Sequence, residues 1–369
     1  MPDDWYRIAN EDEVASPALL VYPDRIADNI GRMITAAGGA ERLRPHVKTH
    51  KMPDVIRMEI ERGITKFKVA TIAEAEMTAA AGGLDVLLAY PVVGPAARRL
   101  ARLAATHPRT TFRAITDSAE GIDCLAAAAT AADVTLDVLL DLDVGFGRTG
   151  IRPGADAAAL YRRIAAAPHL SAGGLHAYDG HLRDADHGRL VAATEAAFTP
   201  VWSLRSELRA AGLAVPRTVV SGTPTFAILA ARDDVEVGAG TTVLWDAGQA
   251  EISPDLDFLP AAVLLARVVS KPGDGRLCLD LGHKAVASEM PHPRLSIMGL
   301  QVASFPIHSE EHLVVETPQA GGYAVGDVVY AVPRHVCPTV ALHDEAVVVR
   351  DRRAVDRWRV QARTRRISI

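Results

Sequence analysis

Residues 66–90 read KFKVATIAEAEMTAAAGGLDVLLAY. An apolar, β-branched run at 66–70 gives way to an Ala-rich stretch of helical texture. Gly82 and Gly83 end that stretch, and a second apolar run follows at 85–90. Glycine after a helix is what C-cap chemistry prefers, so the segment predicts strand, helix, strand. The unit recurs on both sides. Runs at 43–48, 111–116, 136–143, 173–178, 217–221 and 235–238 alternate with helical patterns such as PAARRLARLAATH and AAALYRRIAAAPH. That makes eight strands. Eight strand–helix units of about 25 residues match an α/β fold with a closed (β/α)8 barrel of the TIM type. An open doubly wound sheet is the competing solution.

Beyond about residue 255 the helical texture stops. AAVLLARVVS, RLCLDLG, LSIMGLQVASF, HLVVETP, DVVYAVP and EAVVVRD read as strands between Gly, Pro and Asp turns. We expect a C-terminal, mostly antiparallel β domain there. ALLVY at 18–22 precedes the barrel runs and is assigned to that domain. The expected boundaries are 23–245 for the barrel and 1–22 with 246–369 for the β domain.

Composition excludes several classes. The 369 residues are 49% hydrophobic and 23% charged, with a formal net charge of −5. The charges are interspersed, which argues against a nucleic-acid partner. The Arg-rich stretch 357–366 reads as a solvated end. No apolar run is long enough for a membrane span, and the polar, acidic start is unlike a signal peptide. Three cysteines, Cys124, Cys278 and Cys337, make a disulfide framework unattractive and suit a reducing cytoplasm.

In such a barrel, chemistry gathers where strands end. The run at 43–48 ends in PHVKTHK, and Lys48 closes it between His46 and His50. A lysine facing a barrel mouth loses solvation and becomes a nucleophilic amine; the alternative is a snorkelling lysine. The last two runs end in SGTPT and GAGTT, a pattern suited to phosphate. A lysine nucleophile and a phosphate cradle on one rim suggest pyridoxal 5′-phosphate (PLP). HAYDGH places His176, Tyr178 and His181 at the rim as proton carriers or hydrogen-bonded neighbours. Arg148, in GFGRTG, either aims at the pyridine nitrogen or makes a rim salt bridge. In the β domain, VPRHVCPTV carries His335 and Cys337. On a strand, residues two apart share a face, and imidazole plus thiolate suits Zn²⁺. The other reading is a half-buried Cys beside a surface His. HSEEH, at 308–312, adds a neighbouring group or caps a turn.

PHVKTHK, KFKVATIAEAE, GFGRTG, HAYDGH, SGTPTF, EVGAGTT, SEEH and PRHVCPTVALHDE together resemble the D-threonine aldolase / D-serine dehydratase family. That family belongs to the alanine-racemase-like fold of PLP enzymes. The resemblance runs from about residue 5 to residue 351. It implies that Lys48 binds the cofactor covalently, that Arg148 lies near the pyridine nitrogen, and that Tyr178 lies beside cofactor and substrate. His46 and His176 fall in the same region, with His176 joining Lys48 and Tyr178 as catalytic candidates. It further implies phosphate contacts from Ser221, Gly222, Thr223, Gly238, Gly240 and Thr241, and a divalent metal (Mn²⁺, Mg²⁺ or Zn²⁺) on His335 and Cys337. The implied activity is a cytoplasmic, homodimeric lyase acting on small-molecule D-β-hydroxy-α-amino acids. The favoured reaction is retro-aldol cleavage of D-threonine-like substrates to glycine and an aldehyde. Cys337 departs from the aspartate common in the aldolases, which keeps D-serine dehydration, to pyruvate and ammonia, as the alternative. A racemase is a third reading; it needs a second base, for which Tyr323 and Tyr330 are candidates.

Overall fold

The computed structural model describes residues 4–369. Its strands are, in chain order, β1 (Ala18–Val21), then β2 (Lys66–Val69), β3 (Asp85–Leu88), β4 (Thr111–Thr116), β5 (Leu136–Leu142), β6 (Leu170–Ala177), β7 (Thr218–Val220) and β8 (Glu236–Val237). They continue with β9 (Ala262–Ser270), β10 (Arg276–Leu279), β11 (Leu295–Ile297), β12 (Ser304–His308), β13 (Leu313–Glu316), β14 (Val328–Pro333), β15 (Glu345–Arg350) and β16 (Arg353–Arg359). The chain divides into two compact units. One is built from Gly31–Lys48, Pro53–Gly240 and Thr364–Ile369. The other comprises the residues up to Ile30, Thr49–Met52 and Thr241–Arg363.

In the first unit β2 to β8 pair in sequence order, all parallel, with helices between them. Leu87, Ile115, Leu139 and Val219, one from each of four strands, form a buried apolar layer inside it. The expected eighth strand, 43–48, is not a regular strand. It crosses the gap between β8 and β2 through two isolated bridges, Leu43 to Val237 and His46 to Lys68. Arg44 N–H donates to the Val237 carbonyl and Lys68 N–H to the Pro45 carbonyl. Pro45 has no N–H to donate, so an uninterrupted ladder is impossible there. Lys48 accordingly stands in a short 3-10 turn, Val47–Thr49, rather than on a strand end.

The N-terminal ends of these strands carry charge. Arg44, fully buried, reaches Asp85 at 2.7 Å and Glu236 at 2.8 Å. Arg113 pairs with Asp85 at 2.8 Å and also with Asp137, which Arg217 meets at 3.0 Å. Lys66 completes the set on Glu236 at 2.9 Å. Burial alone would raise the Asp85 carboxyl, but the two guanidiniums hold it well below the usual carboxylate range.

Glu59 lies on the helix Pro53–Glu61, buried, with neither carboxyl oxygen hydrogen-bonded. Burial pushes its carboxyl up to about 8. The unfolded chain ionises near ~4.3, so folding binds a proton above that pH. Stability therefore falls as pH rises between about 4.3 and about 8 and is flat beyond. Glu59→Met should stabilise the protein by about 1–3 kcal/mol at pH 8 and flatten this decline. Melting temperatures across that range check it; an unchanged pH slope would refute the assignment.

The second unit is a nine-stranded sheet in the order β12-β13-β10-β9-β1-β15-β16, with β14 joining β9 and β11. β1 pairs parallel with β15; every other pairing is antiparallel. Its core gathers Tyr6, Tyr22, Leu265, Tyr330 and Val347 among other apolar residues. Two sequence expectations change here. LSIMGLQVASF is two strands, β11 and β12, because Gly299 turns the chain with φ 73°. The Arg-rich end is not merely solvated: Arg357 and Arg359 belong to β16, whose buried Trp358 faces Ala346 on β15. HSEEH forms the turn from β12 to β13, closed by Ser309 N–H on the His312 carbonyl. All three cysteines are free, and among the described residues no helix is long and apolar enough to cross a membrane.

Candidate active site

Within the first unit the strand ends enclose a cavity of about 360 Å³. That is in the range of small-molecule sites. His46, Lys48, Arg148, His176 and Tyr178 line it, so five of the expected residues are brought together. Tyr178 is the common neighbour. Lys48 Nζ lies 5.4 Å from its ring centre and the Arg148 guanidinium 4.8 Å. Arg148 also covers Phe146 at 4.9 Å and makes no ion pair among the described residues, which removes the rim salt bridge. His181 turns aside and stacks on Phe146.

His176 is held from behind. Its Nδ1 is 2.7 Å from Asp141, which also accepts from Thr149 Oγ1 at 2.9 Å. Burial lowers the imidazole pKa, against the pull of Asp141, and keeps the ring neutral. A carboxylate at Nδ1 fixes the proton there, so Nε2 is an acceptor. That Nε2 is buried and has no partner. A buried acceptor without a donor, on a residue that lines a ligand-sized cavity, marks this wall as a polar one.

The expected phosphate residues of this unit lie just behind the cavity wall, with the Ser221 carbonyl 3.5 Å from Lys68 Nζ and Gly238 against the same amine. Ser221, Gly222, Thr223, Gly238, Gly240 and Thr241 do not line the cavity. Ser221, at φ 79°, is fully buried and takes the Gly238 N–H on its hydroxyl at 3.2 Å. Gly222 N–H donates to Asp179, which also accepts from Thr225 Oγ1, both at 2.5 Å. Asp179, overlooked in HAYDGH, is thus the brace of the loop after β7. Thr241 belongs to the other unit, where its hydroxyl is 3.8 Å from Cys337 Sγ.

Sequence reasoning also missed Lys68 and the apolar wall of Ala70, Ala89, Tyr90 and Pro91. Lys68 shows a usable signal. In KFKV the alternation puts Lys68 on the opposite face from Phe67 and Val69, in register with Leu87 of the interior layer.

In the second unit, His335 and Cys337 are not on a strand. β14 ends at Pro333, His335 caps a short helix, Val336–Val340, and Cys337 lies in its first turn. Pro338 suits a first turn, where no N–H is needed, and Asp246 takes the Val336 N–H at 2.9 Å. The two side chains meet all the same. Burial would lower the His335 imidazole, but its hydrogen bonds to Cys337 and Glu289 raise it to about 9. Glu289 holds Nδ1 at 2.5 Å, the arrangement that orients metal-binding histidines. Thr49 Oγ1 is 3.2 Å from Cys337 Sγ. The pair therefore suits a metal as two of its ligands. Among the described residues no group of three His, Cys, Asp or Glu side chains converges. Tyr330 is unavailable as a racemase base: its hydroxyl donates to Glu11 at 2.9 Å and accepts from Ile8 N–H at 3.3 Å.

Residues 21–244 match the family described as alanine racemase, N-terminal domain. The chain belongs to this family. Residues 261–349 of this alanine-racemase-type chain match a second family, described as a putative serine dehydratase domain. The chain is 32% identical to D-threonine aldolase of Arthrobacter sp over 87% of its own length and 85% of that protein's. It is 30% identical to 3-hydroxy-D-aspartate aldolase of Paracoccus denitrificans over 96% and 93%. The crystal structure of D-threonine aldolase from Filomicrobium marinum superposes with a TM-score of 0.86 at 30% identity, covering 95% of this chain and 96% of that one. The alanine-racemase-type architecture, a barrel with an added antiparallel sheet domain, is therefore shown by sequence and coordinates alike.

Proposed function

We propose that this family member, a PLP-dependent lyase, cleaves D-β-hydroxy-α-amino acids of the D-threonine type to glycine and an aldehyde, with help from a divalent metal. The observation that carries the reading is a shared cavity: Lys48, Arg148, His176 and Tyr178 line the same ligand-sized space. The likeness to two aldolases supports the reaction class.

In this reading Lys48 holds the cofactor, with Tyr178 and Arg148 packed alongside. When bound, PLP supplies an electron-withdrawing ring that stabilises negative charge at Cα. His176, neutral and fixed by Asp141, accepts a proton at Nε2. His335 and Cys337 would hold the metal, with Glu289 fixing the imidazole. A metal there would lower the pKa of a coordinated hydroxyl. The apolar wall of Ala70, Ala89 and Pro91 excludes water from one side of the cavity. A homodimer in the cytoplasm completes the proposal.

D-serine dehydration is the second reading, favoured by Cys337 and by the serine dehydratase match over residues 261–349. Incubation with PLP, a divalent metal and D-threonine or D-serine separates the two. Glycine with acetaldehyde is expected; 2-oxobutyrate or pyruvate instead establishes the dehydratase, and the L-isomer alone a racemase. EDTA should abolish turnover and added metal restore it, whereas full activity after exhaustive chelation removes the metal from the proposal.

A further inference from the structure

Lys68 is a charged group on the cavity wall to which neither the sequence reading nor the proposed chemistry gives a role. It stands in β2 with 1% of its surface exposed, and it lines the same cavity as Lys48. Its ammonium is poorly matched to its surroundings. Among the described residues it forms no ion pair, and its one hydrogen-bond partner is the Ser221 carbonyl at 3.5 Å. Nζ lies 5.8 Å from the Tyr178 ring centre, on the ring that Lys48 and Arg148 also approach.

The fold makes room for this amine. A Cβ placed on Gly238 would fall 2.4 Å from Lys68 Nζ and 2.8 Å from Cε. Glycine at 238, read from sequence as part of a phosphate loop, is what lets the side chain extend to the ends of β7 and β8. The backbone donors there are already engaged, Gly222 N–H by Asp179 and Gly238 N–H by Ser221. An amine held bare on a cavity wall needs a counter-charge, since a buried unpaired cation is costly.

We propose that Lys68 is an oxyanion-binding residue, whose ammonium takes a negatively charged oxygen of the cofactor or substrate that fills the cavity. This rests on reading the cavity as a PLP site. The chemistry is shared by a phosphate, a ring phenolate and a carboxylate. Burial first and the nearby Lys48 second lower the Lys68 pKa to about 7; Asp179 and Asp141 pull it up and Arg44 down. His46, bridged to Lys68 itself, Tyr90, Arg148 and His176, neutral, are the other titratable and charged groups on the wall beside Tyr178. An arriving anion favours the protonated amine, so binding draws one proton from solvent. Affinity should therefore weaken as pH rises above about 7.

The test titrates cofactor-free protein with PLP, and with pyridoxal as its dephosphorylated counterpart, from about pH 6 to about pH 9, bracketing the titration. Binding of D-threonine to the loaded protein is followed separately by its visible spectrum. Lys68→Met should weaken one of these ligands about tenfold or more at the acid end and remove the pH dependence. Loss for PLP alone assigns the phosphate, loss for PLP and pyridoxal the ring phenolate, and loss for D-threonine alone the substrate carboxylate. Lys68→Arg, charged throughout, should bind equally well at both pH extremes, which decides the matter if the methionine variant does not fold. Unchanged affinities and pH profiles in the variants overturn the role of Lys68. A wild-type protein that binds no PLP at any pH overturns the cofactor site itself.

Discussion

Lys48→Ala should leave a folded protein that no longer acquires a visible absorbance band with PLP and turns over D-β-hydroxy amino acids at least ~10³-fold more slowly. Lys48 and Lys68 are the two primary amines on the cavity wall, the group type that condenses with an aldehyde, and Lys48 sits against Tyr178 at 5.4 Å. Attachment splits a difficult bond cleavage into easier steps, and its loss removes the whole covalent route. Absorbance spectra and glycine release check the two halves of the claim. Borohydride reduction followed by peptide mass mapping shows which lysine carries the label. A wild-type-like band in Lys48→Ala, or label on Lys68, would move the attachment point and with it the reading of the site. The substitution removes no hydrogen bond made by the Lys48 ammonium, so folding should survive it.

Asp85→Asn should lower the unfolding free energy by about 3–5 kcal/mol at neutral pH. Asp85 is the carboxylate shared by Arg44 and Arg113, one fully buried and the other nearly so. Glu236 and Asp137 remain, yet each is already occupied by another cation, Lys66 or Arg217. Removing one charge therefore strands part of two. The pH dependence follows from the sign of the shift. The folded carboxyl titrates below its unfolded value of ~3.9, so its contribution is complete above that pH and is lost as pH falls through the folded value. Urea unfolding at about pH 7 and at about pH 3 checks this, with the difference between the proteins shrinking at the lower pH. A loss below ~1 kcal/mol at neutral pH would mean that the network carries no such weight.

Both predictions concern the strand run at 43–48, and it shows where sequence reasoning stopped. The alternation of apolar runs and Ala-rich helices made the barrel legible, because parallel strands covered on both faces need continuous apolar runs. It did not show that Pro45 breaks the ladder, since the run was read from its place in the alternation and not from its own hydrogen-bonding capacity. Lys48, Arg148 and Tyr178 were legible because they follow strand runs, and His46 and His176 because they stand near the ends of theirs, where a barrel's chemistry lies. Lys68 was passed over because it sits inside a strand and not after one, although the alternation in KFKV already sets it on the face opposite Phe67 and Val69. The Gly/Ser/Thr loops looked like free donors, but the donors of Gly222 and Gly238 are spent on Asp179 and Ser221. His335 and Cys337 were paired by a strand argument, yet a helix start brings them together.

The strand β16 carries a further consequence. Among the described residues it is the last strand in its sheet, and Arg353, Asp356, Arg357 and Arg359 are exposed along it. A bare sheet margin is a template on which another chain can polymerise. Arg353, Arg357 and Arg359 outnumber Asp356 along it, and a net positive margin disfavours fibrous growth through pairing with its own copy.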